Sequence, residues 1–451
     1  MDKINRKKDN NKNIKKNKNI KKFYELDHQE RLQYLKKEAR LTEQDSKIFQ
    51  DFPKNFAFKK INNMIENAIG FVPIPLGIAT NFVINGRKYL IPMAIEEPSV
   101  IAAASKAAKI ASIKGGFLAE ADNSIMIGQI QLVSRNKRNN KDKFSYKKER
   151  DKIKKIILKN KEKLLEISNS KSRSVHAIDL QVREMYDESN NKMGHMIIIE
   201  LIIDTRDAMG ANVINTMCEL VGSELEKITK CTVILKILSN YSTKRMARCK
   251  AIFSKGLIGG SNGVNRILYA YALAYSDIYR AVTHNKGLMN GIDGVAMATG
   301  QDVRAIEAAA HAYASNDGKY RSLTKWYRSE EGDLVGEIEL PLAIGIVGGI
   351  SSVHPYVKIA LKILNIKKAK ELASIMVAVG LAQNFAAIRA LADEGIQKGH
   401  MRLHARNIAI TAGATDEQVN TVASRLIKGN NVTVNKAEEI IELINKNENL
   451  Y

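Results

Sequence analysis

The sequence is poor in features that mark several protein classes. It has three cysteines among 451 residues, with no Cys-x-x-Cys spacing (Cys218, Cys231 and Cys249). So few cysteines, in an odd number, argue against a disulfide framework or a structural zinc site and fit a reducing cytoplasm. No apolar run reaches the ~18–20 residues that a membrane helix needs. The charged N-terminus has no apolar leader segment, so we expect a cytoplasmic protein that is neither secreted nor membrane-bound.

Two widespread motifs are also missing. No Gly-x-Gly-x-x-Gly follows a predicted strand, which disfavours a Rossmann dinucleotide domain. No His-Glu-x-x-His is present. His400 and His404 stand four residues apart, but no third ligand is evident, so we predict no metal site. The remaining composition, 45% apolar and 26% charged residues, is that of a globular protein.

The formal net charge of +23 is concentrated in two segments. Residues 1–22 carry ten Lys and Arg against two Asp, and residues 135–163 carry fourteen against four acids. A basic tail and one basic segment do not form a distributed nucleic-acid surface. They are explained either as solvated surface or as attraction of a polyanionic ligand such as a nucleotide cofactor or coenzyme A.

Hydrophobic periodicity divides the chain into five segments. Residues 1–25 lack periodicity and are predicted to be a disordered tail. Residues 26–123 are predicted to be the first part of a large domain, and residues 240–394, which are mostly helical, its second part. Residues 395–451 are predicted to be a separate C-terminal piece. Alternating strand and helix patterns across 124–239 predict a small α/β sandwich. Within these segments we predict a hairpin over 81–91, helices over 28–50, 61–70, 99–112, 145–168 and 213–228, and strands over 125–133, 196–203, 233–238 and 340–349.

One lysine and three complementary groups lie in segments marked by glycine or proline. Lys286 lies in Thr283-His-Asn-Lys-Gly-Leu-Met-Asn-Gly291. Glu97, Asp302 and His400 lie in three other such segments, next to Pro98, two residues after Gly300 and next to Gly399. A lysine can stabilise an oxyanion, and carboxyl and imidazole groups can deliver protons. The four groups together therefore predict one catalytic site.

Each of these residues also has a plain structural explanation. Lys286 could be a surface lysine, and His400 could be one of two solvated histidines on a polar helix face. Asp302 precedes an alanine-rich helix, where an N-terminal cap is common. Glu97 precedes Pro98 at a helix start, where acids are favoured. Catalysis by Glu97 needs a carboxyl group that is protonated near neutral pH.

A second motif, Asp207-Ala-Met-Gly-Ala-Asn212, follows a predicted strand and precedes a helix. Gly210 permits close backbone approach, and the following helix N-terminus favours an anion such as a pyrophosphate. An ordinary capped turn explains the same pattern equally well.

Together these segments resemble 3-hydroxy-3-methylglutaryl-CoA reductase of the soluble bacterial class II. Six stretches match in the family's order between residues 66 and 407. They are Glu66–Gly70, Pro92–Val100, Asp207–Asn212, Thr283–Gly291, Ala298–Asp302 and Gly399–Asn407. The resemblance implies an α+β fold. A large, mostly helical substrate domain would carry an inserted small nucleotide domain, ferredoxin-like rather than Rossmann, and residues 395–451 would form a C-terminal helical flap.

The resemblance also implies a four-electron reduction by NADPH or NADH. The thioester is reduced to a thiohemiacetal, coenzyme A leaves, and mevaldehyde is reduced to mevalonate for isoprenoid synthesis. Lys286 would stabilise the oxyanion, Glu97 would donate protons, and Asp302 would tune both. His400, on the mobile flap, would protonate the departing thiolate. Further residues match binding positions: Ser99, Arg280, Asn290 and Gln383 for substrate, and Asp207, Met209, Gly210, Ala211 and Asn212 for cofactor.

Two further implications concern partners. The family's active site lies at a homodimer interface. Cofactor choice lies within 135–165, where a carboxylate favours the NADH ribose and a basic residue accepts the 2′-phosphate of NADPH. Glu162 lies there among lysines, so the sequence leaves the choice open. The rival interpretation is a non-catalytic, basic RNA-binding protein, whose affinity would fall steeply with salt.

Overall fold

The computed structural model describes residues 22–50, 65–67, 69, 72–134, 144, 146–191, 193–392, 405–415 and 417–448. By its contacts the chain forms two units, residues 1–56 and 57–451. In the first unit the described residues form α1 (His28–Glu38) and α2 (Glu43–Gln50). Asp27 caps α1 through the backbone N–H of Glu30. The predicted helix over 28–50 is therefore two helices, and the one predicted over 61–70 lies mostly outside the described residues.

A six-stranded sheet organises the second unit. Its strands are β1 (Leu76–Ile84), β2 (Arg87–Ala94), β3 (Phe117–Ala121), β8 (Met246–Phe253), β9 (Thr324–Arg328) and β10 (Leu334–Pro341). They lie in the order β2-β1-β3-β8-β10-β9. The predicted hairpin is confirmed, because β1 and β2 pair antiparallel around Asn85 and Gly86, both of which have positive φ.

Helices bury one large core against this sheet. They are α3 (Val100–Ser112), α7 (Gly260–Ser276), α8 (Ile278–Ala298), α9 (Val303–Tyr313), α10 (Pro355–Leu364) and α11 (Ala369–Ala392). By length and composition α11 could cross a membrane, with a mean hydropathy of 1.6, but 67% of that window is buried inside the fold. Its apolar character is explained by its position in the core, where Phe385 stacks on Phe253 at 3.8 Å between ring centroids.

A second, four-stranded antiparallel sheet has its own core. Its strands are β4 (Ile125–Val133), β5 (His176–Tyr186), β6 (His195–Asp204) and β7 (Thr232–Ser239), in the order β5-β6-β4-β7. The helices of this part are α4 (Lys147–Lys159), α5 (Lys161–Asn169) and α6 (Ala211–Thr229). The chain therefore runs strand, helices, two strands, helix, strand. Near the C-terminus residues 405–411 are helical, and α12 (Val419–Lys428) and α13 (Val434–Glu448) follow. This region has a small core of its own.

Several sequence predictions need correction. The helix predicted over 145–168 is broken at Asn160, whose side chain donates to the carbonyl of Ile156 at 2.8 Å. Strand β5 was missed, because a bulge between Ala177 and Asp179 interrupts its alternation. Segment 240–394 also contains three strands that pure helical periodicity overlooks. The strand predicted over 340–349 is also misplaced, because β10 spans Leu334–Pro341 and ends where most of the predicted segment begins.

Candidate active site

Lys286 lies in the middle of α8, on a helix that packs tightly against α11. Two glycines that follow it on the same helix differ in their surroundings. A Cβ at Gly291 would lie 2.8 Å from the Cβ of Gln383 and 3.0 Å from the carbonyl oxygen of Val379. A Cβ at Gly287 would meet nothing closer than 3.9 Å. Gly291 therefore sets how closely the lysine-bearing helix approaches the central helix.

A buried polar cluster fixes the residues just before the lysine. His284 is 2% exposed, and its Nε2 lies 2.8 Å from the hydroxyl of Thr324. Asn285 is fully buried, and its Nδ2 donates to the carbonyl of Arg321 at 2.8 Å. Burial, followed by the positive charge of Arg280, lowers the pKa of His284 to about 3. His284 is therefore neutral at physiological pH and acts as a structural hydrogen-bonding group.

The structure brings Lys286, Glu97 and Asn290 together. The ammonium of Lys286 donates to Oε2 of Glu97 at 2.7 Å, and Nδ2 of Asn290 donates to the same oxygen at 2.9 Å. Asn290 is one helical turn after Lys286, so both side chains lie on one face of α8. Glu97 comes from the segment that connects β2 to α3. The side chains of Lys286 and Glu97 are 62% and 39% exposed.

The other residues predicted for the catalytic and substrate sites are placed differently. Asp302 caps α9, accepting from the backbone N–H of Ala305 at 3.1 Å, and lies 3.6 Å from Arg304. Among the described residues no hydrogen bond or ion pair joins it to Lys286. Ser99 immediately precedes α3 in the left-handed region, with φ 72°. Arg280 lies in the first turn of α8, and Gln383 is buried on α11 with no hydrogen-bond partner for its Oε1. His400 and His404 lie outside the described residues.

The predicted nucleotide loop joins β6 to α6. Gly210 has φ 94°, and a Cβ there would lie 2.6 Å from Cγ2 of Thr205, so a side chain is excluded. Two hydrogen bonds hold Asp207 in place. Its carbonyl accepts from Ile346 N at 2.9 Å, and its carboxylate accepts from Ala369 N at 2.8 Å. The loop is thus fixed to the segment after β10 and to the start of α11.

Two residues that the sequence analysis missed support this loop. Buried Arg245 donates to the hydroxyl of Thr205 and the carbonyl of Ala208. Its burial lowers its pKa to about 10, so it remains charged at neutral pH. Gln301, the residue before Asp302, exchanges two hydrogen bonds with the backbone of Gly345, at 2.8 and 2.9 Å. A Cβ at Gly345 would lie 2.4 Å from the backbone nitrogen of Met209, on the nucleotide loop. Gln301 had a signal in the sequence, since it directly precedes Asp302, whereas Arg245 lies in no motif.

Glycines beside this loop leave open space. Gly348 and Gly349 have φ 77° and 55°, and a Cβ at either would meet no atom within 4 Å. Such backbone suits close approach of a large ligand. The helix N-terminus after Gly210 offers free N–H groups to an anion. These features together fit a dinucleotide.

Comparison with known proteins decides the family. Residues 27–405 match the family model of hydroxymethylglutaryl-coenzyme A reductase. A 3-hydroxy-3-methylglutaryl-coenzyme A reductase of Archaeoglobus fulgidus is 46% identical over 427 residues, 93% of each chain. The chain belongs to the hydroxymethylglutaryl-coenzyme A reductase family.

Solved structures of family members agree with this assignment. The reductase of Streptococcus pneumoniae superposes with a TM-score of 0.75 at 35% identity, covering 94% of this chain and 99% of the other. Another structure, of the class II reductase from the same organism bound to NADPH in open conformations, gives a TM-score of 0.74. The mixed α+β fold expected from the sequence is confirmed. As a member of this reductase family, the chain is an oxidoreductase that uses a nicotinamide dinucleotide.

Proposed function

We propose that this reductase converts 3-hydroxy-3-methylglutaryl-CoA to mevalonate and coenzyme A with two equivalents of NADPH or NADH, at a site built around Lys286 and Glu97. The observation that carries the proposal is their 2.7 Å contact, made between two motifs 189 residues apart. This reduction needs a positive charge that stabilises the oxyanion and a proton that neutralises it. The ammonium of Lys286 supplies the charge, and the carboxyl group of Glu97 supplies the proton.

We assign a distinct role to each of the site residues. Lys286 would stabilise the negative charge that develops on the substrate's carbonyl oxygen during reduction, for which a bound nicotinamide would supply the hydride. Glu97, held by Lys286 and Asn290, gives its proton to that oxygen. Asp302 tunes the pair, and His400 protonates the departing thiolate of coenzyme A. Ser99, Arg280 and Gln383 line the substrate site together with Asn290.

The four-stranded unit, about residues 124–239, is proposed as the cofactor-binding domain. In the sequence this unit is inserted between the two parts of the proposed large substrate domain, residues 26–123 and 240–394. Its strand order and its helix connections support a ferredoxin-like rather than a Rossmann arrangement. The N-terminus of α6, with Gly210, Ala211 and Asn212, would hold the pyrophosphate. Residues 395–451 form the flap.

We propose that Glu162 favours NADH over NADPH, a choice that the sequence leaves open. Its two flanking lysines are both paired with carboxylates: Lys161 with Asp179, and Lys163 with Glu224 at 2.7 Å. The exposed carboxylate of Glu162 is thus the charge offered at the first turn of α5. It would accept from a ribose 2′-hydroxyl and repel a 2′-phosphate. We expect Glu162→Gln to raise kcat/KM for NADPH relative to NADH. An unchanged ratio would reassign the cofactor choice to another residue.

A second copy of the chain completes the site. Lys286 and Glu97 are too exposed in one copy to exclude water, which a strong electrostatic site requires. The turns of α8 before Lys286 carry exposed apolar side chains, among them Tyr279 at 85% and Val282 at 49%. Such surfaces mark protein contacts. We therefore propose a cytoplasmic homodimer with the active site at its interface. Membership of this enzyme family gives the RNA-binding alternative no support.

The direct test of the site is replacement of Lys286. Lys286→Ala removes the oxyanion partner, so kcat should fall by at least about 10²–10³ while the fold is retained. Lys109→Ala, on the exposed side of α3, is the matched control and should leave turnover unchanged. Oxidation of NADH or NADPH with 3-hydroxy-3-methylglutaryl-CoA measures both variants. Retention of more than a tenth of the activity by Lys286→Ala would rule out the proposed role.

A further inference from the structure

One side chain ties the turn between α8 and α9 to the segment that follows β10. Gln301 lies in this turn, immediately before Asp302. Its Nε2 donates to the carbonyl of Gly345 at 2.9 Å, and its Oε1 accepts from the backbone N–H of Gly345 at 2.8 Å. An amide side chain can donate and accept at once, so Gln301 pairs with both backbone groups of one residue and fixes its position.

The turn that carries Gln301 is itself anchored to both helices. Nε2 of Gln301 also donates to the carbonyl of Thr299 at 2.8 Å. The backbone N–H of Gln301 donates to the carbonyl of Ala296, in the last turn of α8, at 2.8 Å. On the other side, Asp302 caps α9 by accepting from the N–H of Ala305. A displacement of Gln301 is therefore passed directly to the carboxylate of the residue that follows it.

Gly345, the partner of Gln301, packs directly against the nucleotide loop. A Cβ at Gly345 would lie 2.4 Å from the backbone nitrogen of Met209 and 2.9 Å from the carbonyl carbon of Ala208. Only glycine permits so close an approach of two backbones. The next residue, Ile346, donates its N–H to the carbonyl of Asp207 at 2.9 Å. The backbone at 345–346 thus lies between Gln301 and the loop proposed to bind the dinucleotide.

Two side chains hold this backbone, and they differ in what they reach. Arg245 donates to the carbonyls of Ile344 and Ala208, so it fastens the segment to the nucleotide loop. In the described part of the chain, the side-chain hydrogen bonds between residues 342–346 and the turn before α9 are the two made by Gln301. Removing the amide of Gln301 should therefore leave the loop attached to its segment and break the link to Asp302.

We propose that Gln301 is a positioning residue that couples dinucleotide binding to the placement of Asp302. A dinucleotide bound at the loop opposes any opening that separates the loop from residues 345–346. Through Gln301 it also opposes displacement of Asp302. Such coupling is reciprocal, so a substrate held beside Asp302 strengthens dinucleotide binding by the same factor. This inference rests on the proposed function, which assigns the dinucleotide to the loop and a catalytic role to Asp302.

The test is amide hydrogen–deuterium exchange, resolved to single residues by fragmentation mass spectrometry, with and without NADH or NADPH, whichever binds more tightly. The N–H of Ala305 is bonded to Asp302, and the N–H of Gly345 is bonded to Gln301. A ligand at 100 times its Kd slows exchange by up to about 100-fold where opening releases the ligand. In the wild type we expect both amides to slow by at least about fivefold.

Gln301→Met keeps the length of the side chain and removes its amide. In this variant the dinucleotide should still protect the amides of residues 207–212, whereas exchange at Ala305 should change by less than about 1.5-fold. Gln33→Met, at an exposed position on α1, is the matched control and should keep the wild-type protection. Undiminished protection of Ala305 in Gln301→Met would overturn the proposal.

The wild type decides the question if Gln301→Met does not fold. One opening exposes both amides, so Gly345 and Ala305 should gain protection by the same factor at every dinucleotide concentration. Protection of the loop or of Gly345 without protection of Ala305 would contradict the coupling. The exchange experiment contains no 3-hydroxy-3-methylglutaryl-CoA. A failure of the wild type to reduce that substrate would therefore count only against the proposed function.

Discussion

At the scale of single residues, Asp302 serves as a helix cap whether or not it is catalytic. Its carboxylate accepts the backbone N–H of Ala305. Asparagine caps helices as well as aspartate does, whereas loss of a cap costs about 1 kcal/mol. Stability and activity can therefore be separated at this position.

We expect Asp302→Asn to keep the wild-type free energy of unfolding and yet to lower kcat, because the amide cannot supply the negative charge that tunes Lys286 and Glu97. Asp302→Ala should lose the activity and also about 1 kcal/mol of stability. Urea titration and steady-state kinetics measure the two effects. Full activity of Asp302→Asn would limit this residue to capping.

At the scale of secondary-structure elements, the approach of α8 to α11 positions the lysine. Gly291 and Gly380 both lie where the two helices touch. A Cβ at Gly380 would meet Ile292 at 2.9 Å, as one at Gly291 would meet Gln383 at 2.8 Å. Lys286 and Asn290 lie on the same helix, so any displacement of α8 moves them away from Glu97.

Gly291→Ala and Gly287→Ala therefore form a matched pair. The first should cost about 1–3 kcal/mol of unfolding free energy through overpacking and should reduce kcat. The second has room for a methyl group, and alanine favours a helix over glycine by up to about 1 kcal/mol, so stability should hold or rise. Chemical denaturation with an activity assay distinguishes them. Equal changes in stability and kcat for the two variants would show that the contact between α8 and α11 does not position Lys286.

Local patterns predicted the elements that carry clear periodicity and turn chemistry, such as the hairpin at Asn85 and Gly86 and strand β4. They missed β5, where a bulge breaks the alternation. For the site, motif spacing selected Lys286 and Glu97, and the structure joins them. Arg245 was invisible in the sequence, because its role depends on contacts with Thr205, 40 residues away, and with the segment after β10. Long-range partners of this kind leave no local pattern.

At the scale of the whole molecule, the exposed start of α8 is the surface proposed to bind a second copy. Tyr279→Asp places a charge in that surface, which a closely packed interface excludes. We expect the variant to sediment as a monomer and to lose at least about tenfold in activity. Ile178→Asp, at an apolar position on β5 that is 55% exposed, is the control and should remain dimeric and active. A fully active monomer of Tyr279→Asp would contradict the shared site.

We propose that this chain carries out both reduction steps on 3-hydroxy-3-methylglutaryl-CoA. The most direct measurement follows the absorbance of NADH or NADPH and titrates the free thiol of coenzyme A in the same reaction. Two dinucleotides should be oxidised for each coenzyme A released, with mevalonate as the product. A ratio of one, or no turnover by a folded dimer with either cofactor, would contradict it.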